Sequence, residues 1–216
     1  MINSIKNQII LLLVVFTLLP FVLLRIVAYP IIQRDLKTVI MEDLEITGHK
    51  QAELVSSWMR ERMKDTLVVA NNPYMAKSAE VTQKNKEYQG FLRYLEMVAA
   101  EYGYMGAFVS NEEGVITVST FEKIVGNNIS KTDYFRNAIK GKTFTTGVVP
   151  SETPLLNEYG ELEVDLPTML VAAPLKDSDE NIIGVVALRI HLGILSNLML
   201  SNKFGKTGET YLVNKD

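Results

Sequence analysis

The first feature of the chain is a long apolar run close to its N-terminus. No charged side chain occurs in residues 7–24, and after the single Arg25 the apolar character resumes over 26–32. About 20 such residues in a helix cross a bilayer core of about 30 Å, so residues 7–32 are predicted to form a transmembrane helix. The alternative is a cleaved signal peptide, whose apolar region has only about 7 to 15 residues and leads into a small-x-small cleavage site. The longer run and the bulky sequence after it favour an uncleaved anchor.

The charges beside this span do not indicate its orientation. Lys6 is the one basic side chain before the span, whereas Arg25, Arg34 and Lys37 follow it. Because basic residues are enriched on the cytoplasmic side of a membrane, this count does not favour a cytoplasmic N-terminus.

An amphipathic pattern follows over residues 33–70. Apolar side chains recur every three or four positions, and the opposite face is charged at Arg60, Glu61 and Lys64. The apolar stripe consists of Leu36, Ile40, Leu44, Ala52, Val55, Met59, Met63 and Leu67. At about 1.5 Å per residue such a helix would be about 55 Å long, which is more than one small domain needs. Part of it is therefore expected to stand between membrane and core or to pack on a second copy of the chain.

A second amphipathic helix is predicted over residues 83–102, and the pattern then becomes extended. Five segments are predicted to be strands: 104–110, 115–120, one within 143–149, 168–174 and 182–190. A short helix is predicted over 131–140, and another from 191 to about 200. The sequence thus predicts an α+β fold, in which an antiparallel sheet of about five strands has helices packed on one side.

Residues 202–216 start a new pattern, in which turn residues lead into a strand that has no partner behind it. We predict that they are the start of a second module and that residue 216 is a truncation within it.

Composition excludes several classes of protein. The net charge of -3 gives no clustered basic face, so no nucleic-acid partner is expected. The chain contains no cysteine, which excludes disulfide bonds, zinc sites with thiolate ligands and catalysis by a thiol.

Apparent chemical motifs fail on inspection. The turn beginning at Asp177 resembles the start of a calcium loop, but its sixth position is Ile182 instead of glycine. The two histidines, His49 and His191, are far apart in the sequence, and no predicted pairing unites them. No nucleophile with a base and no pair of carboxylates stands out. The sequence therefore predicts no cofactor, no metal and no enzymatic activity for these residues.

Four stretches together carry a family resemblance. They are SSWMRERMKDTLVVANNP, KTDYFRNAIKGK, AAPLKDSDENIIGVVALRI and FGKTGETYLVNKD. In this order they resemble the double Cache sensor, the PAS-like extracytoplasmic domain of bacterial transmembrane receptors. The resemblance implies a cytoplasmic segment at 1–6, the span at 7–32, a membrane-distal module at 33–201 and the start of a membrane-proximal module at 202–216.

The resemblance also implies a ligand site between the sheet and the short helix. Members that bind amino acids have an arginine two residues before an aromatic pair, and an aspartate on the last strand. Here Tyr134 and Phe135 match the pair, whereas Thr132 replaces the arginine and Arg189 replaces the aspartate. An ammonium group facing Arg189 would be repelled, while a carboxylate could form a bidentate pair with it.

We therefore predict a small carboxylate or other anion as ligand, anchored by Arg189, with Tyr134 as wall and hydrogen-bond donor. Thr132, Ser119 and Thr145 are further candidates for the polar lining. The alternative is that Arg189 forms a salt bridge with an acidic neighbour or is exposed at the strand end.

The resemblance implies a sensor at the cell membrane whose ligand shifts the module against the long helix. A homodimer through that helix is expected, and a coupling of about 1–3 kcal/mol would suffice for signalling. A histidine kinase is the expected output, with a diguanylate cyclase or a chemoreceptor as alternatives. A membrane-anchored protein-interaction module without signalling output is the competing class.

Overall fold

The computed structural model describes residues 5–81, 86–151, 154–156, 159 and 161–201. The chain divides into two compact units between Ala52 and Glu53. The predicted segment 202–216 lies outside the described residues.

The N-terminal unit is helical over its described residues. Helix α1, Ile5–Leu23, is followed by one turn of π-helix at Leu24–Ala28 and by the start of helix α2, Tyr29–Ala70. No residue of α1 is buried, although its side chains are almost all apolar. Among the described residues, the continuous helical stretch Ile5–Ala70, which begins with α1, is the one helix long and apolar enough to cross a membrane, judged by length and composition. The predicted membrane-length helix is therefore present.

The second unit is an α+β domain, as predicted. Its helices are the remainder of α2, α3 (Pro73–Ala76), α4 (Lys86–Tyr102), α5 (Asp133–Ala138) and α6 (Leu192–Ser201). Short 3-10 turns lie at Lys77–Glu80 and Glu122–Ile124. Its strands are β1 (Tyr104–Asn111), β2 (Ile116–Ser119), β3 (Phe144–Thr145), β4 (Val149–Pro150), β5 (Leu155–Leu156), β6 (Leu162–Glu163), β7 (Pro167–Lys176) and β8 (Ile182–Ile190).

The main sheet is antiparallel, and its strand order is β2-β1-β8-β7-β3, with β4 also paired to β7. The predicted strand within 143–149 is divided into the two short strands β3 and β4, which are separated by residues 146–148, although the Thr146 N–H still donates to the Leu170 carbonyl of β7 at 2.9 Å. Strands β5 and β6 form a separate small hairpin. The two longest strands, β7 and β8, lie side by side near the middle, where both faces are covered.

Two apolar cores cover the two faces of the sheet. In β8, Val186 and Leu188 belong to one core, which lies against α2, α4 and α6 and is called here the helix-side core. Val185 and Ala187 belong to the other, which lies under α5 and is called the site-side core. Successive side chains of a strand point to opposite faces, so the apolar run of β8 supplies both cores. The long helices thus lie on one face, whereas the short helix α5 lies on the other, so the helices are not confined to one side as the sequence predicted.

Candidate ligand-binding site

Local backbone features define where helix α5 begins and ends. The Thr132 hydroxyl accepts a hydrogen bond from the backbone N–H of Phe135 at 3.4 Å and donates one to the carbonyl oxygen of Ile129 at 2.8 Å. A threonine that caps the first turn in this way stabilises a helix start. Gly141 follows the helix with a φ of +87°, a conformation that favours glycine and ends helices. Tyr134, Phe135 and Ala138 of this helix are buried in the site-side core, and their packing holds the helix against the sheet.

A cavity of about 420 Å³ lies on this face of the sheet. Its lining comes from the start of α5, from the segment around β3 and β4, from the first residues of β7 and from the last residues of β8. The lining residues are Thr132, Asp133, Tyr134, Phe144, Thr146, Gly147, Val149, Pro150, Thr168, Leu170 and Arg189. Three of the six residues predicted from the sequence, namely Thr132, Tyr134 and Arg189, are thus brought together.

Arg189 is buried, with 6% of its surface exposed. In the ladder it pairs with Gly106 of β1 on one side and with Leu170 of β7 on the other. Because side chains alternate along β8, Arg189 continues the row of Val185 and Ala187 and faces the site-side core. It is neither exposed at the strand end nor part of the helix-side core.

A second cavity of about 280 Å³ adjoins the first and shares Thr132, Tyr134 and Arg189 with it. Its remaining lining combines apolar side chains with two asparagines: Phe108, Ile116, Ile124, Ile129, Asn127 and Asn128. Arg189 and Tyr134 therefore lie between two spaces of different character. A ligand at the guanidinium group can extend into either of them.

The other three predicted residues do not line these cavities. Phe135 is buried in the site-side core. Ser119 pairs with Phe108 on the site side of the sheet, but its hydroxyl oxygen accepts a hydrogen bond from the Phe121 N–H at 2.9 Å. Thr145 pairs with Val171, which belongs to the helix-side core, so its side chain lies on the face opposite the site.

Sequence reasoning missed Thr146 and Thr168, which do line the larger cavity. The Thr146 hydroxyl accepts a hydrogen bond from the Leu170 N–H at 2.9 Å, and the Thr168 hydroxyl donates one to the Ile190 carbonyl at 3.4 Å. Alternation along β7 could have indicated Thr168, which lies two positions before the inward Leu170. Nothing comparable indicated Thr146, because it follows the end of a two-residue strand.

A polar cluster on the other face joins the sheet to helix α2. The Tyr104 hydroxyl donates a hydrogen bond to Asp65 Oδ2 at 2.8 Å, and Arg62 Nη1 lies 3.6 Å from the same oxygen. The Arg62 guanidinium also donates to the carbonyl oxygen of Tyr102 at 3.1 Å. Burial raises the pKa of Tyr104 well above its usual range, and the hydrogen bond to Asp65 raises it further.

Tyr104 reaches Asp65 because of a β-bulge beside Arg189. In the ladder between β1 and β8, Tyr104 pairs with Ile190 and Gly106 pairs with Arg189, so Met105 is an extra residue. An extra residue reverses the direction of every side chain before it. Tyr104 therefore lies in the helix-side core, although Phe108, which is an even number of residues away, lies in the site-side core.

Comparisons with known proteins agree with this architecture. Among solved structures, the sensor domain of the V. cholerae histidine kinase DctB is 13% identical with a TM-score of 0.59, and the match covers 74% of this chain and 59% of that one. The sensory domain of the Campylobacter jejuni chemoreceptor Tlp3 (CcmL) with isoleucine bound is 15% identical with a TM-score of 0.54, covering 75% and 63%. An extracellular ligand binding receptor from Desulfohalobium retbaense DSM5692 is 13% identical with a TM-score of 0.51, covering 71% and 26%.

The chain thus spans less than two thirds of the length of each of these three proteins. At such low identity, the likenesses concern the fold alone. A comparison with curated protein sequences gives no match. The sequence model of the family dCache_1, described as Cache domain, matches residues 32–216. With this match over most of its length, the chain belongs to the dCache_1 family of Cache sensor domains.

Proposed function

We propose that this chain is the input part of a transmembrane receptor and that its extracytoplasmic module senses a small carboxylate. Residues 7–32 form the membrane anchor, 33–201 the membrane-distal module, and 202–216 the start of a membrane-proximal module. The observation that carries the proposal is Arg189, a buried cation placed at the junction of two cavities. Sensing by Cache domains of histidine kinases and chemoreceptors supports the same role.

The chemistry of Arg189 favours an anion. A guanidinium group presents several N–H donors in one plane, which match the two oxygens of a carboxylate. Such a charge-assisted, bidentate pair is stronger than a neutral hydrogen bond, and water is largely excluded at this buried position. Tyr134, which lines both cavities, supplies a phenol group beside it. In chemoreceptor Tlp3 the bound ligand is isoleucine, but Arg189 would repel the ammonium group of an amino acid placed against it.

The Tyr104 cluster provides a route from the site to helix α2. Gly106, which pairs with Arg189, is two residues from Tyr104, and Tyr104 binds Asp65 of that helix. If ligand binding shifts β8 at Arg189, the neighbouring part of β1 is Gly106 and the bulge at Met105, where the register of the ladder changes. The hydrogen bond to Asp65 would then pass the shift to the helix that continues from the membrane span. Two chains paired along this helix would transmit it as a homodimer.

A histidine kinase is the output that we propose, since the likeness to the DctB sensor domain has the highest TM-score of the three described above. Chemoreceptors share the fold, as Tlp3 shows, so a chemoreceptor is the second choice. Expression of the full-length receptor with a phosphorylation assay distinguishes them. Ligand-dependent autophosphorylation of the receptor itself supports the kinase, and its absence contradicts it.

The carboxylate proposal is tested by replacing Arg189. We would measure thermal unfolding of the chain in nanodiscs with a panel of carboxylates and the amines of matching carbon chains. Ligand at about 100 times its dissociation constant should stabilise the chain by about 2.7 kcal/mol. The Arg189→Met variant should keep only about 0.3–1.3 kcal/mol of this stabilisation, since a charge-assisted pair that contributes about 1.5–3 kcal/mol is removed.

The matched control is Arg136→Met on α5. The Arg136 side chain is 57% exposed and lies 3.9 Å from Asp133, and it lines neither cavity. This variant should bind carboxylates as the unmodified chain does. Stabilisation by amines instead of carboxylates would refute the proposal, as would carboxylate binding that is undiminished in Arg189→Met.

A further inference from the structure

The lining of the larger cavity combines Arg189 with four apolar side chains. They are Phe144, Val149, Pro150 and Leu170, called here the apolar wall, and Leu170 pairs with Arg189 in the ladder between β7 and β8. Leu170 is buried and Phe144 packs against the site-side core, so the wall is anchored in the fold. A ligand whose carboxylate pairs with Arg189 would place its remaining atoms against apolar groups.

The basic side chains of the described lining bear on how many carboxylates a ligand can carry. Among the described residues that line the two cavities, Arg189 is the one basic side chain. A second carboxylate would be desolvated without a cationic partner, and such burial is costly. The lining therefore favours a monocarboxylate over a dicarboxylate.

The same lining offers little to an ammonium group. Asp133 is the one carboxylate among the described lining residues, and its side chain is 84% exposed and lies 3.9 Å from the Arg136 guanidinium. Water screens an ion pair at such an exposed position, so it would contribute little to the affinity. The described lining therefore contributes little to the binding of the α-ammonium group of an amino acid.

The threonine hydroxyls of the lining do not require hydrogen bonds from a ligand either. Those of Thr132, Thr146 and Thr168 each form a hydrogen bond within the protein. Each of these buried hydroxyl groups thus already has a hydrogen-bond partner. An aliphatic chain can therefore lie beside them without leaving an unpaired polar group.

From these features, and resting on the proposed carboxylate-sensing function, we propose that the ligand is an aliphatic monocarboxylate without an ammonium group. Its carboxylate pairs with Arg189, and its hydrocarbon chain lies along Phe144, Val149 and Leu170. The cavity of about 420 Å³ has room for an acid of about six carbons. Affinity should then rise by roughly threefold to fourfold with each methylene that is buried.

The test is a series of acids measured by calorimetry on the whole chain in nanodiscs, with empty nanodiscs as the blank. Acetate, butyrate and hexanoate vary the chain length alone. Adipate adds a second carboxylate to the six-carbon chain, norleucine adds an α-ammonium, and hexylamine replaces the carboxylate. We expect hexanoate to bind about tenfold more tightly than butyrate, and butyrate about tenfold more tightly than acetate. Adipate and norleucine should bind at least about tenfold more weakly than hexanoate.

A variant of the apolar wall gives an independent readout. Val149→Asp places a carboxylate in the wall and should weaken hexanoate binding at least about tenfold through charge repulsion and lost apolar contact. Val148→Asp is the control, since Val148 is 59% exposed and does not line the cavity. It should leave the affinity for hexanoate unchanged.

The outcomes separate this inference from the proposed function. Arg189-dependent binding that is tightest for adipate or norleucine, or that is equal for acetate and hexanoate, overturns the monocarboxylate inference and leaves carboxylate sensing in place. An unchanged affinity in Val149→Asp overturns the assignment of the chain to this wall. Binding of hexylamine alone, or of no acid in the series, overturns both.

Discussion

Replacing Tyr104 by phenylalanine tests whether the cluster with Asp65 and Arg62 joins the sheet to helix α2. The change removes one hydroxyl that donates to Asp65 Oδ2 at 2.8 Å and keeps the ring in the core. Hydrogen bonds to charged groups contribute about 1.5–3 kcal/mol. Asp65 keeps Arg62 at 3.6 Å and is 22% exposed, so arginine and water partly replace the lost donor. We therefore expect a loss of about 1–2 kcal/mol in the free energy of unfolding.

The assay is thermal unfolding of the chain in nanodiscs, followed by the fluorescence of its single tryptophan. That residue, Trp58, is half-buried, and its ring centroid lies 5.6 Å from the Arg62 guanidinium carbon, so it reports on the cluster itself. A chain of this size should show a midpoint lowered by about 2–8 °C. The control is Tyr102→Phe, the same substitution at a side chain that is 49% exposed, which should change stability by less than about 0.5 kcal/mol.

The pH dependence tests whether the Tyr104 hydroxyl is held protonated in this buried cluster. The folded pKa of Tyr104 is raised by burial and by the bond to Asp65, whereas a tyrosine in the unfolded chain titrates near pH 10. The stability that protonated Tyr104 contributes is thus fully present below about pH 10 and is lost as the pH rises toward the folded pKa. The gap between the unmodified chain and Tyr104→Phe should narrow above about pH 10. Equal midpoints at pH 7, or a gap that is constant to pH 11, would refute the reasoning.

Two further predictions concern the sheet and its last hairpin. Gly184→Ala would drive a Cβ into the carbonyl oxygen of Ser110 on the paired strand β1, and we expect a loss of at least about 2 kcal/mol in thermal unfolding; an unchanged midpoint would contradict the close approach of the two strands. Asp177→Ala should lower the midpoint at pH 7, because the carboxylate accepts hydrogen bonds from the Asn181 side chain and from two backbone N–H groups in the turn. These bonds, that from the Asn181 side chain first, lower the pKa of Asp177, so its contribution is present above about pH 4 and is lost as the pH falls through the folded pKa. The exposed Asp179→Ala is the control, and a gap that persists unchanged at pH 2 would contradict this account.

The spacing of apolar residues was sufficient to predict most helices and strands, because buried and exposed positions follow a regular pattern along most of these elements. The membrane-length helix, the two amphipathic helices and strand β8 follow directly from runs and repeats of apolar residues. The strand predicted within 143–149 was less accurate, since β3 and β4 have only two residues each and are held by β7. Short edge strands depend on their partners, and a partner distant in sequence leaves no local signal.

The order of the elements and the family followed from the sequence, which also predicted Arg189 as the anchor of a ligand. Which of the candidate residues share a cavity depended on the tertiary structure. It assigned Thr145 to the opposite face through its register with Val171, and it placed Thr146 in the same cavity as Arg189. It also turned Tyr104 toward Asp65 through one extra residue at Met105. Register and bulges are set by pairing between distant segments, and shifting a strand by one residue exchanges its two faces, so no local pattern could have settled them.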